Sequence, residues 1–232
     1  MPEQAATIYL VDGTAYIHRA YHAIRNLTNS RGFPTNAVYG FTKMLLKLLA
    51  DHHPAYLGVV FDAKGPTFRH GIYDQYKANR PPMPEDMAMQ VPVIKEVVHQ
   101  LGIQMMEMEG FEADDVIGTL ARIGSENGFH VTMVTGDKDF RQLISPRITM
   151  WDPMKEQVTD YGGIKETYGF EPERFIDVMG LSGDPSDNIP GVPKVGPKTA
   201  TKWLSQYGDI EGIKSHAEDI AGKVGESLRD NF

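Results

Sequence analysis

The chain has 232 residues, 41% of them apolar, enough for one large domain or a domain with a smaller appendage. It contains no cysteine, which excludes a disulfide framework, a thiolate metal site and a thiol nucleophile. The formal charge of −8 argues, taken alone, against a nucleic-acid partner, the N-terminal "MPEQAATIYLVDG" lacks the basic-then-apolar order of a signal peptide, and no run approaches the ~18 apolar residues of a membrane span.

In chain order, "TIYLV" (7–11) reads as a buried strand, followed by the helical spacing of "VYGFTKMLLKLLADHH" (38–53). "YLGVVF" (56–61) is a second strand. The pattern "EDMAMQVPVIKEVVHQLG" reads as one helix with Pro92 near its start. "IQMM" near Ile103 is a third strand, "EADDVIGTLARIGSENG" a helix with Gly128 as its C-cap, and "HVTMVT" near Val131 a fourth strand. Strands alternating with helices predict an α/β fold with a mostly parallel sheet, in which ligands sit at the carboxyl ends of the strands. From about Glu171 no further strand is read. Short helices and Gly/Pro turns form a smaller helical region. The final "KVGESLRDNF" reads as a helix that stops without a cap, as in a piece of a longer protein.

The strands share an ending. "IYLVDG" leaves Asp12 at a carboxyl end, "VVFDA" leaves Asp62, and "TGDKD" leaves Asp137 and Asp139. "GFEADD" adds Glu112, Asp114 and Asp115 at a helix start, and "SGDPSDNIPG" adds Asp184 and Asp187. Singly, each is ordinary turn or cap chemistry. Together, nine carboxylates at one sheet edge repel each other unless a cation is present. Oxygen-only ligands select a hard cation, Mg²⁺ or Mn²⁺, and nine are too many for one hydrated ion. Two ions roughly 4 Å apart fit better, the arrangement used for phosphodiester hydrolysis. With these nine set aside, the rest of the chain carries about +1, so the acidity no longer argues against a polyanion.

Between Ala63 and Pro84 the chain reads "AKGPTFRHGIYDQYKANRPPMP". Lys64, Arg69, Lys77 and Arg80 stand against one acid, Asp74, with Phe68, Tyr73 and Tyr76 interleaved. That mixture suits a single strand of nucleic acid, with charges on phosphates and rings on bases, although it also describes an ordinary long surface loop. "IPGVPKVGPKTA" resembles a helix-hairpin-helix, whose glycines let backbone approach a phosphate, with Lys194, Lys198 and Lys202 nearby. Gly191, Gly196, Lys198 and Thr199 only mimic a nucleotide P-loop, because Pro197 interrupts it and no strand precedes it. His18 and His22 are four apart but lack a third zinc ligand and read as structural or surface residues. The twelve Met residues read as core filling.

The blocks "VDG" with "HRAYHA", "VVFDAKGPTFR", "YKANRPPMP", "EADDVIGTLA", "TGDKDFRQL" and "GDPSDNIPGVPKVGPKTA" together resemble the N-terminal 5′-nuclease domains of bacterial DNA polymerases I, within the flap-endonuclease superfamily. The resemblance implies a PIN-like or SAM-fold α/β domain over about 1–170, with a helical arch near 63–84. It implies a helical region over 171–232, with the helix-hairpin-helix near 186–207. It implies cleavage of 5′ flaps and 5′→3′ removal of nucleotides, RNA primers included, in DNA replication and repair. Carried over by position, Asp12, Asp62, Glu112 and Asp114 surround a first Mg²⁺ or Mn²⁺. Asp115, Asp137, Asp139, Asp184 and Asp187 serve a second. Lys77 and Arg80 stabilise the phosphate's charge in the transition state. Arg19, Lys64, Arg69, Tyr76, Gly191, Lys194, Gly196 and Lys198 face the nucleic acid, and the hairpin holds K⁺. DNA with flaps, nicks or RNA primers is the implied partner, for a bacterial, cytoplasmic, nucleoid-associated monomer that can carry a covalently linked polymerase domain. One departure is Lys194, where the family has the first Gly of Gly-x-Gly: its Cβ hinders a phosphate while its ammonium attracts one. The competing readings are a stand-alone exonuclease paralogue, a non-catalytic junction-binding module, and a phosphatase or toxin-type ribonuclease on a similar sheet.

Overall fold

The computed structural model describes residues 6–231. β1 (Thr7–Asp12) leads into α1 (Gly13–Ala23) and α2 (Asn36–His52). β2 (Tyr56–Val60) is followed by α3 (Phe68–Ile72), α4 (Glu85–Ala88) and α5 (Val91–Gln100), and β3 (Gln104–Met106) by α6 (Ala113–Glu126). Then come β4 (His130–Val134), a 3₁₀ turn over Lys138–Leu143, β5 (Ile148–Asp152) and β6 (Gln157–Thr159). The strands form one sheet in the order β3-β2-β1-β4-β5-β6, parallel from β3 through β5.

The chain divides into two compact units. The first runs up to Phe68 and includes 82–140 and 146–158, and the second comprises 69–81, 141–145 and 159–232. In the first, β1 is flanked on both sides: Val11 pairs with Val59 of β2 and with Val134 of β4. Strands so placed are covered on both faces, which is why they read as unbroken apolar runs. Val11, Val59 and Val134 share a core with Tyr16 and Ile17 of α1, Phe41 and Leu45 of α2, and Ile94 of α5. The alternate residues face α6, where a side chain at Gly124 would press on Val131 and Ile8.

Three local expectations change. The helix read through 85–102 is broken into α4 and α5. Pro92 has no N–H for the carbonyl of Ala88, and the turn frees Gln90 to cap α2 by accepting from Ala37 N–H at 2.8 Å. Asn127 is the C-cap of α6, and Gly128, at φ +90°, is the left-handed residue after it. β5 was not expected at all. The second unit holds α7 (Tyr161–Tyr168), α8 (Phe175–Ser182), α9 (Pro197–Tyr207), α10 (Ile210–Ser215) and α11 (Gly222–Arg229), packed around Phe175, Leu181, Trp203, Leu204 and Leu228. No described helix is long and apolar enough to cross a membrane.

Candidate functional site

The carboxyl ends of β1, β2 and β4 carry the first group of acids. Asp12 is buried and caps α1. Its Oδ1 accepts from Ala15 N–H at 2.9 Å and its Oδ2 from the Thr135 hydroxyl at 3.0 Å. Thr135 Oγ1 accepts in turn from Asp137 N–H at 3.1 Å, and Asp137 Oδ1 from Asp139 N–H at 3.0 Å. This relay fixes the turn after β4 to the end of β1. Asp62 stands two residues beyond β2: its N–H donates to Thr14 Oγ1 at 2.9 Å, and its Oδ1 accepts from Ala113 N–H at 2.7 Å. The N-termini of α1 and α6 therefore both point at this edge, where their partial positive charge favours anions.

Glu112 is the N-cap of α6, and its N–H donates to Asp115 Oδ2 at 3.0 Å, one half of a capping box. Asp115 is thus tied into the cap. The Asp114 residue keeps some solvent exposure, but its carboxyl is desolvated by the protein around it, which pushes its pKa up to about 8, and Asp12, Asp137, Asp62 and Glu112 each add to the rise. Asp12 is pushed up to about 6, first by burial, against its two hydrogen bonds, with Asp62 and Asp137 adding repulsion. No cation appears among the neighbours that act most strongly on either group.

Five acids expected as ligands, Asp12, Asp62, Glu112, Asp114 and Asp137, therefore feel one another's charge. Asp139 follows on the same turn. Among the described residues, no group of three or more His, Asp or Glu side chains already stands arranged to hold a metal ion. The partners above show where several of the carboxylates turn instead: Asp12, Asp62 and Asp137 each accept from a nearby N–H or O–H. Lys64 is exposed just past Asp62, and His18 and His22 are exposed on α1.

Arg19, one turn along α1, does not extend freely into solvent. Its Nη1 donates to Asp152 Oδ1 at 2.8 Å, at the end of β5. Neither Asp152 nor the two threonines that organise Asp12 and Asp62 was anticipated. "ITMWD" carried the same signal as "YLVD", an apolar β-branched run ending in aspartate.

In the second unit, the segment 75–80 is bound to the loop 184–188. Asp187 accepts from the Tyr76 hydroxyl at 2.9 Å and from Arg80 Nη2 at 2.5 Å. Arg80 Nε donates to Ser186 O, Asn79 Nδ2 to Pro185 O, Asn188 Nδ2 to Gln75 O, and Lys77 N–H to Asp187 O. Tyr76, expected as a nucleic-acid contact, is 4% exposed, and Lys77 Nζ lies 5.0 Å from its ring centre. Asp184 is buried and accepts from Ser186 N–H. Arg69 belongs to α3 and is half-buried.

The hairpin between α8 and α9 uses its glycines differently from one another. A Cβ at Gly191 would lie 2.2 Å from the Ser182 carbonyl carbon, so this glycine closes the loop on itself. Gly196, the N-cap of α9, has open space where a Cβ would be. Lys194 sits at φ +68°, a left-handed backbone that glycine adopts without strain. Lys198 and Lys202 are exposed along α9.

Residues 7–169 match the family described as 5′-3′ exonuclease, N-terminal resolvase-like domain, and residues 170–232 match 5′-3′ exonuclease, C-terminal SAM fold. The chain is 43% identical to a 5′-3′ exonuclease of Aquifex aeolicus over 91% of its own length and 73% of that protein's. It is 43% identical to DNA polymerase I of Bacillus caldotenax over 97% of its length, and spans 26% of that relative. Among solved structures it is similar to T5 5′-exonuclease with divalent zinc ions bound, at 20% identity and a TM-score of 0.75, covering 97% of this chain and 84% of that one. It also resembles the catalytic core of Rad2 in complex with DNA substrate, at 18% identity and a TM-score of 0.64, covering 98% of this chain and 72% of that one. Those two likenesses are of fold. The family matches span the described chain, and the chain belongs to the 5′-3′ exonuclease family, with a resolvase-like α/β domain followed by a SAM fold.

Proposed function

We propose that this chain is a structure-specific 5′ nuclease that hydrolyses DNA or RNA phosphodiesters at 5′ flaps and from 5′ ends, with divalent metal ions. The observation that carries the proposal is the sheet edge: Asp12 and Asp114 have raised pKa values, and the charged neighbours that act most strongly on them are acids, Asp62, Asp137 and Glu112 among them. The donor set is all oxygen, which suits Mg²⁺ or Mn²⁺. Asp12, Asp62, Glu112, Asp114 and Asp137 would hold the metal. For Asp115, Asp139, Asp184 and Asp187, service to a second ion rests on the sequence resemblance. When bound, such ions supply an activated water and neutralise charge on the phosphate.

The chain's own residues do the positioning. Thr135 and Ala15 N–H fix the Asp12 carboxylate in one orientation, and Ala113 N–H fixes Asp62. The helix N-termini of α1 and α6 favour the phosphate's negative charge at the same edge. On the sequence resemblance, Lys77 and Arg80 are proposed to meet the charge that grows on the phosphate. Flaps, nicks and RNA primers as substrates, K⁺ at the hairpin, a monomeric state, a linked polymerase domain and a place in the bacterial cytoplasm belong to the same proposal.

The test is cleavage of a labelled 5′-flap duplex with and without Mg²⁺, beside Asp137→Ala. Cutting near the junction that needs both the metal and Asp137 is expected. A wild-type chain that binds the flap with Mg²⁺ present and never cuts it would leave only a junction-binding module.

A further inference from the structure

We infer that Asp152 is a positioning residue for substrate phosphate, holding Arg19 by one arm against Gly136 so that the rest of the guanidinium faces the nucleic acid. The inference rests on the nuclease reading of the carboxylate edge, and adds to it two residues that the motifs did not mark.

The geometry is unusually close. An alanine Cβ at Gly136 would lie 1.6 Å from Arg19 Nη2 and 2.6 Å from Asp152 Oδ2. Both charged groups therefore lie against the bare α-carbon of Gly136, and a side chain there would force the Arg19 guanidinium to shift. Asp152 is 4% exposed. Its Oδ1 accepts from Arg19 Nη1 at 2.8 Å and from Met154 N–H at 3.1 Å, while Lys155 Nζ stands 3.5 Å from Oδ2. The carboxylate is thereby oriented before Arg19 reaches it. Arg19 has five N–H donors, and among the described residues its one hydrogen bond is to Asp152. Its side chain keeps 28% exposure. A guanidinium anchored at one nitrogen, with donors to spare and part of its side chain exposed, suits an incoming phosphate.

Two neighbours show why an anchor is needed. Gly136 lies between Thr135, which binds Asp12, and Asp137. An unanchored Arg19 would be drawn towards those carboxylates and fill the space a metal needs. Asp152 holds it instead, by the ion pair at 2.8 Å. The Tyr16 hydroxyl, buried and without a hydrogen-bond partner among the described residues, feels the charges of Arg19, Asp152 and Asp12 in the same corner.

The experiment measures flap-duplex binding against salt concentration without divalent metal, for wild type, Arg19→Ala, Asp152→Ala, Gly136→Ala and the Arg19→Ala/Asp152→Ala double variant. One lost phosphate contact makes the slope of log affinity against log salt shallower by about 1. Arg19→Ala is expected to show that loss. Asp152→Ala and Gly136→Ala are expected to show the same loss with Arg19 still present, and the double variant no more than Arg19→Ala. Misfolding alone lowers the active fraction without changing the slope, and Gly136→Ala tests the clamp with Asp152 intact. A wild-type slope in Asp152→Ala and Gly136→Ala, or in Arg19→Ala, would overturn the inference, as would additive losses in the double variant. Wild-type cleavage of the same substrate with Mg²⁺ is read separately: binding with these slopes but no cutting would remove the nuclease reading and leave the clamp standing.

Discussion

Asp12 and Asp152 end strands on either side of β4, and each is 4% exposed. Burial pushes both pKa values up, yet they finish on opposite sides of the ordinary range. Asp12 rises to about 6, first through burial, which its two hydrogen bonds do not offset and to which Asp62 and Asp137 add repulsion. Asp152 ends below its usual value: burial raises it, but the Arg19 hydrogen bond and charge, Met154 N–H and Lys155 outweigh that. The difference teaches that burial alone does not decide how a strand-end acid behaves: hydrogen bonds and the sign of the neighbouring charges add to it or outweigh it. One edge of the sheet thus holds a carboxylate paired with an arginine beside two, Asp12 and Asp114, whose strongest charged neighbours are other acids.

The comparison is broken most severely by removing a charge from the carboxylate edge. Asp12→Asn is expected to lower Mg²⁺-dependent flap cleavage by roughly 10³-fold, on the scale of losing a group that stabilises charge in the transition state. The same variant without metal is expected to be more stable at pH 8 by on the order of 1–2 kcal/mol, because a charge repelled in the folded state is gone. Flap cleavage with Mg²⁺ and chemical denaturation without it check the two halves. Equal or lower stability would mean that the repulsion is compensated in a way the structure does not show.

The second expectation concerns pH. Asp12 and Asp114 have folded pKa values above their unfolded ones. Their protonated forms therefore favour the fold at acid pH, and that contribution is lost as pH rises from about 4 through about 8. Metal-free protein should lose on the order of 2 kcal/mol across this window, and saturating Mg²⁺ should abolish the loss. Urea midpoints at several pH values measure it.

Asp152 runs the other way. Its folded pKa is depressed, so its contribution is present above the unfolded carboxylate range and is lost as pH falls through the folded value. Asp152→Ala is expected to cost about 1–3 kcal/mol at neutral pH, with the cost shrinking towards pH 3. A cost independent of pH would mean that packing, not the ion pair, explains it. The smallest expected effect lies in the other unit. Lys194→Gly relieves a left-handed lysine and is expected to stabilise the chain by about 0.5–1 kcal/mol, read from the same urea titrations.

The acids of the carboxylate edge were legible in the sequence and the arginine-paired Asp152 was not. β1, β2 and β4 are internal strands of a parallel sheet, covered on both faces, so they write apolar runs whose terminal aspartates stand out. β5 carries the same kind of run, but Pro146 and Pro153 bracket its five residues, and a short apolar stretch between prolines reads equally well as a loop. The Arg19 clamp was hidden for a further reason. Its parts lie at positions 19, 136 and 152, and nothing local shows that Gly136 is small to admit a guanidinium. Arg19 itself was read as a residue facing nucleic acid, without its anchor. The loop at Asp184 to Asn188 was read as acids beside turn residues, whereas its backbone carbonyls and Asp187 bind Tyr76, Lys77, Asn79 and Arg80 by contacts more than 100 residues apart in sequence.

The central claim is that the edge formed by Asp12, Asp62, Glu112, Asp114 and Asp137 is built for a cation. The most direct measurement is an NMR titration of the Asp12 and Asp114 side-chain carboxyl carbons, with and without Mg²⁺. Without metal, both should titrate above the ordinary carboxylate range, near 6 and 8, and with Mg²⁺ both should fall to or below it. Identical titrations in the two conditions would contradict the account.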